Sequence, residues 1–456
     1  MVYNIKDFGA VGDGVSNDAA ALQKAIDTCH EAGGGTVVVP AGHTFMTGSF
    51  ALKARVELRL ERGATLLASP NYADYSPEHF SDAVTNGLFD ETELPKRAWI
   101  TSFEAHDAAI TGGGTLDGNG QAFIAEDQAY IYKMRGNGDE PQLLARPYTL
   151  HLIGNVGLSI KDIIIKDGAF WTLRLTGCED VVIHGVRIRN DLKLPNNDAI
   201  DLVNCRRVRV SDCDIVSGDD AICLKTNRAT QVYGPCEDIT VTGCTLMSTS
   251  SALKLGNEIC SPIRNVIFDA CIIRGTHRGL SIHVGEPGDV DNVIFSNMII
   301  ETRIFHDLWW GRGEPIYINS TAWREADGSG RVRHVRISNV LARSENGAFV
   351  YADQPGKVED VVLENVRIEL SKTSKWDGSR QDLRPREGEG MPTLPTNGFT
   401  VHNAKNVSLR NCEVVWGENR PAYYSKAISA EGVEGLELSG FKGRDAHVAN
   451  AERVVE

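Results

Sequence analysis

The feature of this 456-residue chain that most narrows its fold is a short internal repeat. It reads as a polar residue, β-formers flanking one position, a small polar break and a second β pair. Clear copies are Glu179-Asp180-Val181-Val182-Ile183-His184-Gly185-Val186-Arg187-Ile188, Arg207-Val208-Arg209-Val210-Ser211-Asp212-Cys213-Asp214-Ile215 and Asp238-Ile239-Thr240-Val241-Thr242-Gly243-Cys244-Thr245-Leu246. Further copies follow from Asn265, Asn292, His334 and Asp360, and weaker ones from Asn406 and Gly435. Counting from Val181 through Val208, Ile239 and Val266 to Val293 gives steps of 27, 31, 27 and 27 residues.

Each copy holds two short period-2 strands with a bend between them and no helical periodicity. A step of that size is one coil of a solenoid. Stacked coils pair as parallel sheets whose inward rows are Val, Ile, Leu and Cys. Propeller blades repeat at roughly 40–50 residues, which is too long. The all-β reading is therefore a single parallel β-helix domain over 1–456. A solenoid needs a capped end, and Asn17 or Asp18 is placed to N-cap a helix from Ala19 through Ile26. The cap and first coils fall in about 1–70. Longer steps mark loops leaving the coil, expected at about 71–100, 121–145 (near Gly136-Asn137-Gly138-Asp139), 301–331 and 372–398.

Composition excludes several classes. A hydrophobic share of 42% and a charged share of 24% fit a globular chain. No run approaches the roughly 20 apolar residues of a membrane span, so no membrane partner is expected. The net charge of −14 argues against general nucleic-acid binding, while leaving room for a locally basic groove. Cys205, Cys213, Cys223, Cys236, Cys244, Cys260 and Cys271 lie in apolar strand-like runs without metal spacing, so they read as buried thiols of a reducing compartment. The N-terminus shows no export signal, giving a cytoplasmic expectation, or an extracellular or periplasmic one if a signal peptide was removed. Oligomeric state is not legible.

The chemistry concentrates in Asn196-Asn197-Asp198 and Gly218-Asp219-Asp220. Asp198 and Asp219 are 21 residues apart, close to one coil, so they are expected on neighbouring coils with backbones about 4.8 Å apart. Crowded carboxylates cannot all ionise freely, so one can donate a proton while another acts as base. Glycoside hydrolysis needs that division. Asp201 reads as a strand-end cap, and a calcium site is the other use for such acids. The expectation is catalysis by Asp198, Asp219 and Asp220 with no metal and no cofactor.

These motifs resemble glycoside hydrolase family 28, the polygalacturonases and their relatives, over nearly the whole chain. The opening Asn4-Ile5-Lys6-Asp7-Phe8-Gly9-Ala10-Val11-Gly12-Asp13-Gly14, Arg146-Pro147, Trp171-Thr172-Leu173 and the two acid motifs carry the resemblance. It implies a right-handed parallel β-helix, inverting hydrolysis of α-glycosidic bonds in pectin-derived or related glycans, and the three aspartates as acid and bases. Two departures stand out. Ser250-Ser251-Ala252-Leu253-Lys254-Leu255-Gly256-Asn257-Glu258 occupies the place of the family's Gly-His-Gly, and Arg278-Gly279-Leu280-Ser281-Ile282-His283 that of its Arg-Ile-Lys.

Candidate substrate contacts are accordingly Asn196, Lys225, Lys254, Glu258, Arg278 and His283. Trp309, Trp310, Arg312 and Glu314 join them from a loop. Arg312 is read as a clamp for a sugar carboxylate and a tryptophan as a sugar platform, against core packing and an Arg312–Glu314 ion pair. Large loops favour a pocket and exo action. A uronate lyase or epimerase, or a non-catalytic glycan-binding β-helix, are the alternatives.

Overall fold

The computed structural model describes residues 1–75, 97–124, 146–307 and 309–448. The excursion at Gly136–Asp139 and much of the expected insertions at 71–100 and 121–145 lie outside the described residues. The fold is a right-handed parallel β-helix, and its chain divides into two compact units. One comprises Met1–Asp219 with Arg228–Gly234, the other Asp220–Asn227 with Pro235–Glu456.

In the first unit the inward row Val37, Leu58, Ile110, Ile160, Ile183 and Val210 runs in register from coil to coil, each side chain fully buried. Burying a branched aliphatic side chain stabilises by about 1.5–3 kcal/mol, so the row repeats that gain at every coil. The counted positions lie two residues earlier in the repeat: Val181 pairs with Val208, and in the second unit Ile239, Val266, Val293, Val335, Val361 and Val407 form a row of their own. The positions counted along the sequence repeat are therefore the positions that stack.

The polar residue opening each copy turns the corner. Asp180, Arg207, Asp238, Asn265, Asn292, His334, Asp360 and Asn406 all adopt left-handed φ between 52° and 59°, a region that Asn and Asp tolerate better than most residues. Their side chains also ladder along the outside. Asn292 donates to Asn265 at 3.3 Å, and Asn265 to Asp238 at 2.9 Å.

Helix Ala19–Glu31 buries Leu22, Ala25, Ile26 and Cys29. The expected N-cap divides between two residues. Asn17 Oδ1 accepts from the Ala19 amide at 3.1 Å, whereas the Asp18 carboxylate turns away and receives the Val11 and Gly12 amides at 2.7 and 3.0 Å. Asp18 thus pins the glycine-rich opening loop to the start of the helix. Of the cysteines singled out in the sequence, Cys260 is half-buried and the other six are buried; all seven are free thiols.

In the second unit the segment from Lys372 is anchored by Glu345. Its buried carboxylate accepts from Lys372 Nζ at 2.9 Å, the Thr373 amide at 3.1 Å and Ser374 Oγ at 2.8 Å. Beyond that anchor, Leu383 packs on Tyr317 and Phe349, which point outward from strands Ile316–Ser320 and Ala348–Ala352 yet are buried. The loop builds a wall across this face of the sheet.

Asp18→Ala removes the acceptor of two amides. The expected loss is about 1–3 kcal/mol, read as a lower denaturant midpoint with unchanged slope. A midpoint equal to that of the unmodified chain would show that water satisfies the loop equally well.

Candidate active site

Asp198 lies two residues ahead of strand Ile200–Val203, and Asp219 two residues after strand Asp214–Ser217. The loop ahead of Asp198 is stiffly held. Asn190 Nδ2 donates to the Asn197 carbonyl at 2.7 Å, Ser217 Oγ donates to the same carbonyl at 3.0 Å, and Asn197 Nδ2 reaches the Asp191 carbonyl at 2.8 Å. Asn196, in left-handed conformation at φ 53°, directs its backbone amide to Asp219 Oδ2 at 3.2 Å. Its contribution here comes from the main chain. Gly218 is dictated by space: a Cβ there would meet the Asp191 carbonyl oxygen at 2.3 Å and Asn197 Oδ1 at 2.6 Å.

Both acids are buried, and an oxygen of Asp198 lies within 4.8 Å of one of Asp219. The compensating charge is Arg146, which the sequence reading noted as a family feature without counting it among the site residues. It is buried and donates from Nη1 to the carbonyls of Ala169 at 2.9 Å and Pro195 at 2.6 Å. Burial lowers its pKa to about 10 against the pull of Asp219 and Asp198, so it stays cationic at neutral pH. Asp201, outward-facing and buried, pairs in register with Arg174.

The next residue in the chain, Asp220, opens the second unit. Its Oδ1 accepts from Ser250 Oγ at 2.8 Å and the Ser251 amide at 3.0 Å, and its Oδ2 lies 2.6 Å from Lys254 Nζ. Burial alone would raise the Asp220 pKa. Lys254 and Lys225, with the Lys254 and Ser250 hydrogen bonds, outweigh it and leave the pKa below the ordinary carboxylate value. Lys225 is buried with Nζ 3.5 Å from Glu258 Oε2. Ser250, Ser251 and Lys254 fill the segment where the family's Gly-His-Gly was expected, and they hold this acid.

Further along the second unit, His283 is buried, its Nε2 makes no hydrogen bond among the described residues, and burial lowers its pKa to about 3. It is a neutral imidazole. Arg278 is buried over the Tyr317 ring, its guanidinium carbon 3.6 Å from the centroid, and contacts Glu314 at 3.3 Å. Glu314 Oε2 also accepts the Arg312 amide at 2.7 Å.

The remaining loop residues are knitted to 382–384. Asp382 accepts from the Gly311 amide at 2.7 Å and from Arg384 Nε at 2.7 Å. Despite burial, Arg384 and Arg278 hold its pKa well below the carboxylate range. Arg384 also donates to the Trp309 carbonyl at 2.8 Å and lies over the Trp310 ring at 5.2 Å. Trp309 is buried, in line with the core-packing alternative. Arg312, 1% exposed, faces Asp307, donating to its carbonyl at 2.6 Å with its carboxylate 3.4 Å away. The ion partner of Arg312 is thus Asp307, whereas the Glu314 carboxylate pairs with Arg278.

The chemistry of the donors bears on metal binding. Asp198 and Asp219 could each offer an oxygen, and in the second unit Lys254 Nζ already lies 2.6 Å from Asp220 Oδ2.

The family model "Glycosyl hydrolases family 28" matches residues 29–379. A probable polygalacturonase from Vitis vinifera is 28% identical over 309 residues, covering 66% of this chain and 60% of that protein. Among solved structures, an exopolygalacturonase from Thermotoga maritima superposes with a TM-score of 0.64 at 20% identity, covering 91% of this chain and 92% of its own. A family 28 exopolygalacturonase from Yersinia enterocolitica gives 0.67 at 18% identity, covering 97% and 77%.

Lys254→Met leaves the Asp220 carboxylate buried without its cation. Removing one partner of such a pair costs about 3–5 kcal/mol, so the denaturant midpoint at pH 7 should fall clearly. The sign with pH follows from the depressed pKa. The stabilisation from Asp220 is fully present above the unfolded carboxylate pKa of about 3.9 and is lost as pH falls through the lower folded value. The variant should lose that contribution at higher pH. Identical midpoint-against-pH curves for the two proteins would refute the pairing.

Proposed function

The chain belongs to glycoside hydrolase family 28, and on that premise we propose that it hydrolyses α-linked galacturonate or related pectin-derived oligosaccharides from a chain end. The observation that carries the reading is the unequal treatment of the three acids. Asp220 is held ionised by Lys254, while Asp198 and Asp219 lie within 4.8 Å of one another. Two carboxylates that close share protons unequally.

In this mechanism the Asp198–Asp219 pair holds the proton that passes to the leaving glycosidic oxygen, and Asp220 takes a proton from the attacking water. The water oxygen bonds to the sugar carbon as the carbon–oxygen bond to the leaving sugar breaks. Lys254 positions Asp220 and keeps it a base. Lys225 and Glu258 are the charged pair assigned to the substrate beside it.

The wall of Leu383 on Tyr317 and Phe349 supports end-on action, because it would stop a long chain running along that face. Binding energy from sugars beyond the wall is then unavailable to the reaction. The Lys254–Asp220 contact also favours hydrolysis over a calcium-assisted lyase, since the ammonium competes with a metal for the same oxygen.

Oligogalacturonates should yield single galacturonate units from the first minutes, with no mid-length fragments. The family resemblance implies inversion, so the first product seen by proton NMR should be the β-anomer. Asp219→Asn should lower turnover by roughly 10²–10⁴-fold with little change in unfolding midpoint. Early mid-length fragments would overturn the end-acting claim. Undiminished turnover in Asp219→Asn would overturn the mechanism, as would loss of activity with a chelator or ultraviolet-absorbing unsaturated products.

A further inference from the structure

Beyond the wall, the second unit contains a cavity of about 540 Å³, within the range of about 300–1,000 Å³ typical of small-molecule sites. Its floor is aromatic. Tyr317, Phe349, Tyr351 and His402 form a run of near-parallel rings, with successive centroids 5.6, 5.4 and 4.8 Å apart and interplanar angles of 14°, 8° and 10°. Phe349, Tyr351 and His402 line the cavity. The last two are only half-buried, so the end of the slab nearest the cavity is open.

The cavity walls carry charge of both signs, Arg386 and Lys426 with Glu389 and Glu431. Arg386 and Lys426 line it, and neither forms a salt bridge among the described residues. Arg386 spends only Nε, on the Glu387 carbonyl at 3.1 Å, which leaves the outer edge of its guanidinium for a ligand. Glu431 lines the cavity too, its carboxylate 3.8 Å from His402 Nδ1. An aromatic floor takes the C–H face of a pyranose. A guanidinium matches a carboxylate in two-point geometry, and a carboxylate accepts ring hydroxyls.

This cavity is separate from Asp220. Strand Ala348–Ala352 lies four strand steps from Ile222–Thr226 in the same sheet, roughly 19 Å at about 4.8 Å per step, with the Tyr317–Leu383–Phe349 wall between. We propose that the cavity is a second, non-catalytic site that binds a uronate-bearing saccharide. Taking galacturonate as that uronate rests on the family 28 hydrolase reading.

The test uses the full chain carrying Asp219→Asn, so that ligand survives, titrated calorimetrically with trigalacturonate. Two binding sites are expected. Adding Arg386→Ala should weaken one by roughly tenfold, equivalent to about 1.4 kcal/mol, and leave the other unaltered. Arg386→Lys should recover part of the loss. The neutral galactose trisaccharide should bind the Arg386-dependent site at least tenfold more weakly than trigalacturonate. Lys426→Ala, at an exposed position, provides a second variant should Arg386→Ala not fold, which the unfolding midpoint reports. A single site in the parent, or equal affinities in parent and both variants, would overturn the proposal, as would equal binding of the neutral trisaccharide. Should the unmodified chain fail to cleave oligogalacturonates yet show the Arg386-dependent site, the hydrolase reading alone fails. Cleavage without a second site defeats only this proposal.

Discussion

Parallel stacking of each coil on the one before, at about 4.8 Å, governs everything else in this molecule. It forces side chains to alternate, so a row that is apolar inside fixes which residues stand outside on the same strand. Leu253, Leu280, Ile316 and their successors face the core, and the register then sets Lys254, Ser281, Tyr317, Phe349 and Thr400 in one outward row. His283, Asn319, Tyr351 and His402 make the neighbouring outward row. A slip of one residue would turn these rows inward. The chemistry is therefore written on outward positions that the core pins in place.

Outward positions on a sheet ordinarily face water, yet many here are buried because loops lie over them. Those loops bring charge with them. Arg278 with Glu314, Arg384 with Asp382 and Lys372 with Glu345 are ion pairs whose acid members are buried. Taking such groups out of water costs several kcal/mol each, so their net gain in stability is small. What they fix is geometry: Asp382 ties the Gly311 amide, Arg384 and Tyr317 together, its carbonyl accepting from Tyr317 Oη at 2.7 Å. The loop can then occupy one position and form a wall.

This division explains what could be read in the sequence. The coils were legible because their period is local and strict: the counted positions Val181 and Val208, or Val266 and Val293, turn out to be register partners. The acids were legible because two motifs one coil apart stand on such a period. The loop contacts were not, since Arg278 reaches the Asp382 carbonyl across 104 residues that follow no repeat. Trp309 and Arg312 had the right chemistry for a sugar, but composition carries no sign of burial. Asp18 resembled a helix cap, and only the fold shows its carboxylate turned to an earlier loop.

The exchange of Gly-His-Gly for Ser250, Ser251 and Lys254 has a consequence for recognition. A histidine at this face would titrate near neutral pH, whereas Lys254 delivers a permanent charge straight to Asp220. His283, the nearest imidazole in the outward rows, cannot replace that charge, because burial keeps it neutral down to about pH 3. Arg278 is already matched by Glu314. The cations beside Asp220 are thus Lys254, committed to the acid, and Lys225, whose partner Glu258 is 3.5 Å away. In the proposed reaction, a sugar carboxylate brought beside Asp220 would have to compete with Glu258 for Lys225.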